Sequence, residues 1–122
     1  MHFAGHLLSA VPFALLGMPA AAVGAVLPDV TWIGNEIRFR RSSVRPWHRW
    51  VEGLPARRIR PYRVAHSFLL PALLMLLPYD AARQLALGWV VHLLLDLPTH
   101  WGVMRQQPLY PLAWRWPWTF RN

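Results

Sequence analysis

The chain carries two long apolar stretches, residues 3–33 and 64–97, and each is interrupted near its middle by helix-breaking residues. The breaks are Gly17-Met18-Pro19 and Pro78-Tyr79-Asp80. Because Gly and Pro clusters favour turns, the pattern predicts two helical hairpins. The four predicted helices are Phe3–Leu16, Pro19–Leu27, Val64–Leu77 and Ala81–Leu97. For the first hairpin, one tilted helix over Phe3–Leu27 is the alternative, since membrane helices often contain Pro and Gly.

The composition is typical of a membrane protein. Of the 122 residues, 55% are hydrophobic, while Asp and Glu together number five. All thirteen basic residues are Arg, and nine of them lie in residues 38–63, between the two apolar stretches. The positive-inside rule assigns such an Arg-rich loop, residues 34–63, to the cytoplasmic side of the inner membrane. We therefore predict one all-α, membrane-embedded domain over residues 1–122, ending in a Trp- and Pro-rich interfacial tail at residues 101–122.

The composition also limits which classes of partner and which metal-binding side chains are possible. The net charge of +8 would suit nucleic acid, but the Arg cluster comes with no nucleic-acid-binding motif. Membrane topology accounts for the cluster better, so we expect membrane lipid as the partner and no nucleic acid. The absence of Cys excludes thiolate ligands, so any metal ion must be held by imidazole and carboxylate groups.

Ionisable side chains inside the apolar stretches are the strongest functional signal, because burying them in lipid is expensive. Relative to the first turn centre, position 18, His6 lies twelve residues before and Asp29 eleven after. His66 and His92 each lie thirteen residues from the second turn centre, position 79. The arms of a hairpin reach equal depth at equal distance from the turn, and the Arg-rich loop joins the same end of both hairpins. The four groups are therefore predicted to lie level at one end of the bundle.

Asp96 lies four residues after His92, so the two side chains project from the same helix face. Helix bundles build sites for borderline divalent ions from imidazole and carboxylate groups on facing helices. The pattern predicts a Zn²⁺ site, with Mn²⁺ as the second choice. Its predicted ligands are His6, Asp29, His66, His92 and Asp96. His100 follows Pro98, which should end the helix, so its position relative to the site is open.

Each predicted ligand also has a plain structural interpretation. A single His in a bundle is more often a hydrogen-bonded contact between helices, and a single Asp is more often a cap or turn residue. Asp29 could cap a following helix, and Asp80 is best explained as a turn residue. The joint placement of five such groups nevertheless favours a metal site over five separate structural roles.

Several short motifs follow one another over nearly the whole chain. They are Gly5-His6-Leu7-Leu8, Leu27-Pro28-Asp29, Tyr62-Arg63-x-x-His66-Ser67, Gly88-x-x-x-His92-Leu93-Leu94-Leu95-Asp96, Pro98-Thr99-His100 and Pro108-Leu109-Tyr110-Pro111-Leu112. In order and spacing, this set resembles the small membrane-bound metal-dependent hydrolases of bacteria and archaea, a domain family of unknown function. Many members carry a second acidic residue where this chain has Thr31.

Residue by residue, the resemblance implies a metal site formed by His6, Asp29, His66, His92, Asp96 and His100. The site is similar to a reduced form of the one in zinc-dependent phospholipase C, in which clustered metal ions activate water against a phosphoester. By that likeness, Asp29 would be a bridging ligand or the general base. Arg63 could contact a substrate phosphate, or it could be one more positive-inside charge.

Three functional hypotheses remain at this point. The leading one is a membrane-bound, metal-dependent hydrolase that cleaves a phosphoester of a phospholipid or lipid-linked substrate at the cytoplasmic face. The first alternative is a non-catalytic membrane scaffold or partner-binding protein, in which a His and Asp network ties helices together. The second is a metal or proton carrier, which is less favoured because the polar groups collect at one end and do not line a path.

Overall fold

The computed structural model describes residues 3–43, 50 and 53–97, and every regular element within them is an α-helix. In chain order these helices are α1 (Phe3–Leu15), α2 (Pro19–Gly24), α3 (Leu27–Arg41), α4 (Ala56–Ala65), α5 (Leu69–Met75) and α6 (Asp80–Asp96). The all-α prediction is confirmed for this part of the chain. The predicted interfacial tail, residues 101–122, lies outside the described residues.

The first hairpin turns where the sequence predicts it. α1 ends in a Schellman motif, in which Met18 N–H donates to Phe13 O (2.9 Å) and Gly17 N–H donates to Ala14 O (3.1 Å). Gly17 has a φ of +70°, a left-handed conformation that residues with side chains rarely adopt. Pro19 then starts α2, because its missing N–H is not needed at a helix start. One continuous helix over this stretch is therefore wrong, and the second predicted turn likewise separates α5 from α6.

The predicted helix Val64–Leu77 is divided, because three residues separate α4 from α5. Pro71 explains this division. In one continuous helix its missing N–H would leave the Ser67 carbonyl without a donor, whereas in the first turn of α5 that donor is not required. His66 consequently lies at the end of α4 and not within a helix, with φ −95° and ψ 28°.

The segment predicted as an Arg-rich loop, residues 34–63, is helical at both of its ends. α3 continues to Arg41, and α4 begins at Ala56. Arg is a good helix former, and the last turn of α3 carries Arg38 and Arg40, whose charges interact favourably with the negative end of the helix dipole. The loop prediction is wrong at these ends because charge density by itself does not oppose a helix.

Small residues let α2 pack directly on α6. A Cβ atom added to Gly88 would overlap the carbonyl oxygen of Ala21 and crowd the amide nitrogen of Ala25. One added to Gly24 would overlap the carbonyl oxygen of Leu85. The two helix backbones therefore touch without intervening side chains, as small residues at a helix crossing allow. This contact holds the end of α2 beside the second half of α6.

Aromatic and polar contacts join α3 to α4. Trp32 packs edge-on against Tyr62, with ring centroids 5.2 Å apart. Farther along α3, Asn35 Nδ2 donates a hydrogen bond to Arg58 O (3.3 Å). These contacts hold the end of α4 beside the start of α3, which carries Asp29.

The described helices are short. α6, the longest of them, has 17 residues, and α3 has 15. None of the helices in residues 3–43 and 53–97 combines the length and the apolarity that a membrane crossing requires. The membrane-embedded part of the fold stays a prediction.

Candidate metal centre

Four of the predicted ligands converge on one point: Asp29 of α3, His66 after α4, and His92 and Asp96 of α6. One ligand atom from each lies within 4.8 Å of the other three. His66 Nε2 is 3.3 Å from His92 Nε2. Asp96 Oδ2 lies 3.4 Å and 3.3 Å from these two nitrogens, and Asp29 Oδ1 lies 3.5 Å and 3.7 Å from them. The four side chains can hold a metal ion.

Local sequence explains how each helix presents its ligand. His92 and Asp96 are one turn apart on α6, so one helix face supplies two ligands. Pro28 is the second residue of α3, which begins at Leu27, and Asp29 lies in the first turn, where the helix dipole favours a carboxylate. Asp29 does not cap α3, whose N-cap residue is Val26, and its carboxylate instead contacts both imidazoles.

Each imidazole is oriented by a hydrogen bond at its other ring nitrogen. His66 Nδ1–H donates to Tyr62 O (3.0 Å), and His92 Nδ1–H donates to Ala25 O (2.8 Å). Metal-bound histidines are typically held this way, because the Nδ1–H bond fixes the tautomer and leaves the Nε2 lone pair for the ion. Both Nε2 atoms face the centre of the cluster.

Further residues support the position of His66, and the sequence prediction missed them. The Tyr62 ring stacks on the imidazole, with centroids 3.7 Å apart and planes at 22°. Trp89 Nε1–H donates to Ala65 O (2.6 Å), which fixes the backbone just before His66. Tyr62 could have been predicted as a support for His66, because it lies four residues before His66 on the same helix face. Ala25 was not identifiable, because its carbonyl meets His92 across 67 residues of chain.

Burial differs among the four ligands. The side chains of His66, His92 and Asp96 have no exposed area, whereas that of Asp29 is 14% exposed. Solvent therefore reaches the cluster at Asp29. Asp29 Oδ1 also makes the longest of the measured contacts, the 3.7 Å separation from His92 Nε2.

The two carboxylates change the protonation of His66. Burial by itself lowers the pKa of this imidazole, but the contacts and negative charges of Asp29 and Asp96 outweigh burial. The pKa of His66 therefore lies above its ordinary value of 6.5. A proton on Nε2 occupies the place that a cation would take between the carboxylates.

The other predicted site residues are not part of this cluster as the structure describes it. His6 lies in α1, but its side chain is outside the described part, as is the whole of His100. Arg63 lies on α4, three residues before His66, and its buried Nε has no hydrogen-bond partner among the described residues. Asp80, which was predicted only as a turn residue, is the first residue of α6, and 92% of its side chain is exposed beside Arg83.

The cluster consists of two imidazoles that can be neutral and two carboxylates, and it is almost completely shielded from water. Such a set is suited to a borderline divalent cation, since hard ions such as Mg²⁺ and Ca²⁺ prefer oxygen ligands. Ligand chemistry, burial and geometry therefore carry the functional proposal. No protein-family model, curated protein or solved structure matches the chain.

Proposed function

We propose that this protein is a zinc-dependent hydrolase that cleaves a phosphoester of a lipid or lipid-linked substrate. The observation that carries the proposal is the spacing of the four ligands. Tetrahedral zinc with bonds of ~2.0–2.2 Å keeps its ligand atoms roughly 3.3–3.6 Å apart. Five separations within the cluster run from 3.3 to 3.7 Å. Mn²⁺ is the second choice, because it favours more ligands than the cluster offers.

The unequal burial of the ligands supports a catalytic site. Catalytic zinc sites commonly have three protein ligands and one open position, whereas structural sites are closed by four. His66, His92 and Asp96 are fully buried and form such a three-ligand set. Asp29, which alone touches solvent, is placed to exchange with water at the fourth position.

The chemistry follows from these roles. A bound zinc ion would lower the pKa of a water molecule and polarise a phosphoryl oxygen. Asp29 would accept the proton of the attacking water, as a carboxylate within hydrogen-bond reach of that position can do. Arg63 is suited to a phosphate oxygen, because its buried Nε is without a partner in the described residues.

Surface apolarity supports a lipid substrate. Large apolar side chains are exposed at both hairpin turns, with Leu15 82%, Leu16 73% and Leu76 80% exposed. Patches of this kind mark membrane or partner contacts. At the other end of the bundle, the Arg residues of α4 suit anionic headgroups. We propose that the protein lies in the inner membrane with the metal site toward the cytoplasm.

Asp29→Asn tests the catalytic assignment. We expect this variant to keep zinc, because three buried ligands remain, and to lose activity by about 100-fold, the low end of a general base's contribution. The measurement is headgroup release from mixed phospholipid vesicles by zinc-loaded protein, together with zinc content by elemental analysis. Asp80→Asn is the matched control, since it removes an exposed carboxylate and should change neither quantity.

A metal-stapled scaffold is the competing function, and the four-ligand count favours it. In that case zinc would bind as a closed site, Asp29→Asn would weaken zinc binding as much as Asp96→Asn, and vesicles would release no headgroup. That pair of results would sink the hydrolase proposal. Absence of bound zinc in replete protein would overturn both functions.

The pH dependence of zinc binding follows from the raised pKa of His66. Zinc must displace the proton that this imidazole holds, so the apparent affinity should rise with pH. Below the pKa of His66 we expect a loss of about tenfold per pH unit, measured by competition with a chromogenic chelator. An affinity that stays constant from about pH 6 to pH 8 would contradict a protonated His66.

Metal-free protein should show the opposite trend in stability. Because the pKa of His66 is raised in the folded state, its contribution is complete below about pH 6.5 and is lost as pH rises through the folded pKa. The thermal unfolding midpoint of metal-free protein should therefore fall over this range. Replacing Asp29 with Asn removes one of the charges that raise the pKa, so the trend should become shallower.

A further inference from the structure

An open apolar groove of about 680 Å³ is lined mainly by residues of α3 and α4. Its walls include Val30 of α3, Val64 of α4, Leu70 of α5 and Trp89 of α6. A second depression of about 380 Å³ continues it along α2 and α3, and both are lined by Val30 and Leu27. The first volume alone is within the ~300–1,000 Å³ of typical small-molecule sites. Together the two depressions form one open apolar groove.

Positive charge lines the same groove. Arg57 and Arg60 lie one turn apart on α4 and both contribute to the lining. Both are exposed and neither forms an ion pair or hydrogen bond within the described part of the chain. Thr31 is the other polar lining residue, and its hydroxyl already donates to Pro28 O (2.8 Å). The groove therefore offers an apolar surface together with two exposed Arg side chains that have no partner among the described residues.

We propose that this groove binds the acyl chain of a phosphate-bearing lipid, with Arg57 and Arg60 holding the phosphate. The proposal goes beyond the proposed function, because it assigns a lipid-binding site apart from the metal centre. Two guanidinium groups beside one apolar groove match a ligand with one anionic head and one hydrocarbon chain. The helices that form the groove, α3 and α4, also position Asp29 and His66. The lipid is thereby anchored on the elements that carry the metal centre.

Other occupants fit the groove less well. Nucleic acid supplies phosphates, but its bases would leave polar edges unpaired against apolar walls. A symmetric second copy of this chain would bring its own Arg57 and Arg60 to the same interface, where like charges repel. An anionic lipid, in contrast to these two, satisfies the walls and the charges together.

Lipid binding can be measured without catalysis. The full chain, freed of metal by a chelator and held in a neutral polyoxyethylene detergent, would be titrated with lysophosphatidic acid and observed by native mass spectrometry. One bound lipid is expected. Val30→Trp should fill the groove and weaken binding at least about tenfold. Val11→Trp is the matched control, because Val11 is 47% exposed, close to the 51% of Val30, and lies on α1 away from the groove.

The role of the guanidinium groups needs a second pair of variants. Arg57→Ala/Arg60→Ala should weaken lysophosphatidic acid binding about tenfold and leave binding of an uncharged monoacylglycerol unchanged. Arg38→Ala/Arg41→Ala removes the same charge from the end of α3 and should leave both affinities unchanged. Inorganic phosphate should bind far more weakly than the lipid, because it cannot use the apolar walls.

Any of three binding results would overturn the proposal: equal effects of Val30→Trp and Val11→Trp, equal effects of the two double variants, or inorganic phosphate binding as tightly as the lipid. A dimer that masks the groove in place of lipid would do the same. These failures are separate from a failure of the proposed function. Lipid binding is measured without zinc. A protein that binds lipid but shows no zinc-dependent hydrolysis would therefore support the lipid-binding groove and contradict only the hydrolase activity.

Discussion

Asp96→Asn is expected to lower the affinity for zinc by roughly 10³-fold, whereas Asp80→Asn on the same helix should leave it unchanged. Structural zinc sites bind with apparent free energies of ~10–16 kcal/mol, or roughly 3–5 kcal/mol for each of the three buried ligands. A 10³-fold loss in Asp96→Asn, about 4 kcal/mol, is within that share, because the carboxylate is fully buried and lies 3.3–3.4 Å from both imidazoles. No water can replace it without opening the bundle.

The two substitutions are matched in chemistry and differ in environment. Both replace a carboxylate on α6 with an isosteric amide, but the Asp80 side chain is 92% exposed and forms an ion pair with Arg83. Zinc affinity would be measured by competition with a chromogenic chelator, and folding by the helical circular dichroism signal. Zinc should raise the thermal unfolding midpoint of the Asp80→Asn protein and not that of Asp96→Asn. A similar rise in both would remove Asp96 from the ligand set.

Local sequence rules account for much of the fold. Gly17 and the Pro residue two positions later stop one helix and start the next, because one permits a left-handed conformation and the other needs no amide donor. Similar numbers of residues separate Asp29, His66 and His92 from their hairpin turns, which places the three side chains at a similar depth in the bundle. The prediction required only the rise of a helix and a reversal of direction, both of which are local properties.

What the sequence could not supply depends on contacts between distant segments. The break between α4 and α5 determines how His66 is presented, and a helical pattern alone does not distinguish a continuous helix from one divided ahead of Pro71. The hydrogen bond from His92 to Ala25 O depends on how closely α2 and α6 approach. The Arg-rich sequence near Arg41 was predicted as a loop because of its charge, but Arg is also a good helix former and α3 continues to this residue.

The approach of α2 to α6 links the fold to the metal centre. Ala25 O orients His92 only if the end of α2 remains against α6, and the absence of a side chain at Gly88 permits this. Site and scaffold therefore share one packing contact. Metal-bound histidines lose ~10–100-fold in affinity when the group that orients them is removed. A change at the crossing should consequently be detectable at the zinc site.

Gly88→Ala is expected to destabilise the protein by at least about 3 kcal/mol, the upper range for overpacking a core. The new Cβ would overlap the carbonyl oxygen of Ala21, and backbone atoms cannot move aside as a flexible side chain can. The helices must separate, which breaks the hydrogen bond between His92 and Ala25. We therefore expect a thermal unfolding midpoint lower by roughly 10 °C or more, and zinc affinity lower by about 10–100-fold.

Gly34→Ala is the control because it makes the same substitution on α3. There the new Cβ would meet only the Arg38 side chain, at an ordinary contact distance of 3.5 Å. Alanine exceeds glycine in helix propensity by about 1 kcal/mol, so Gly34→Ala should raise the unfolding midpoint and leave zinc affinity unchanged. Opposite shifts from one chemical change would show that packing at the crossing decides the result, whereas equal shifts would mean that α2 and α6 do not touch at Gly88. Loss of stability without loss of zinc affinity would instead separate the crossing from the orientation of His92.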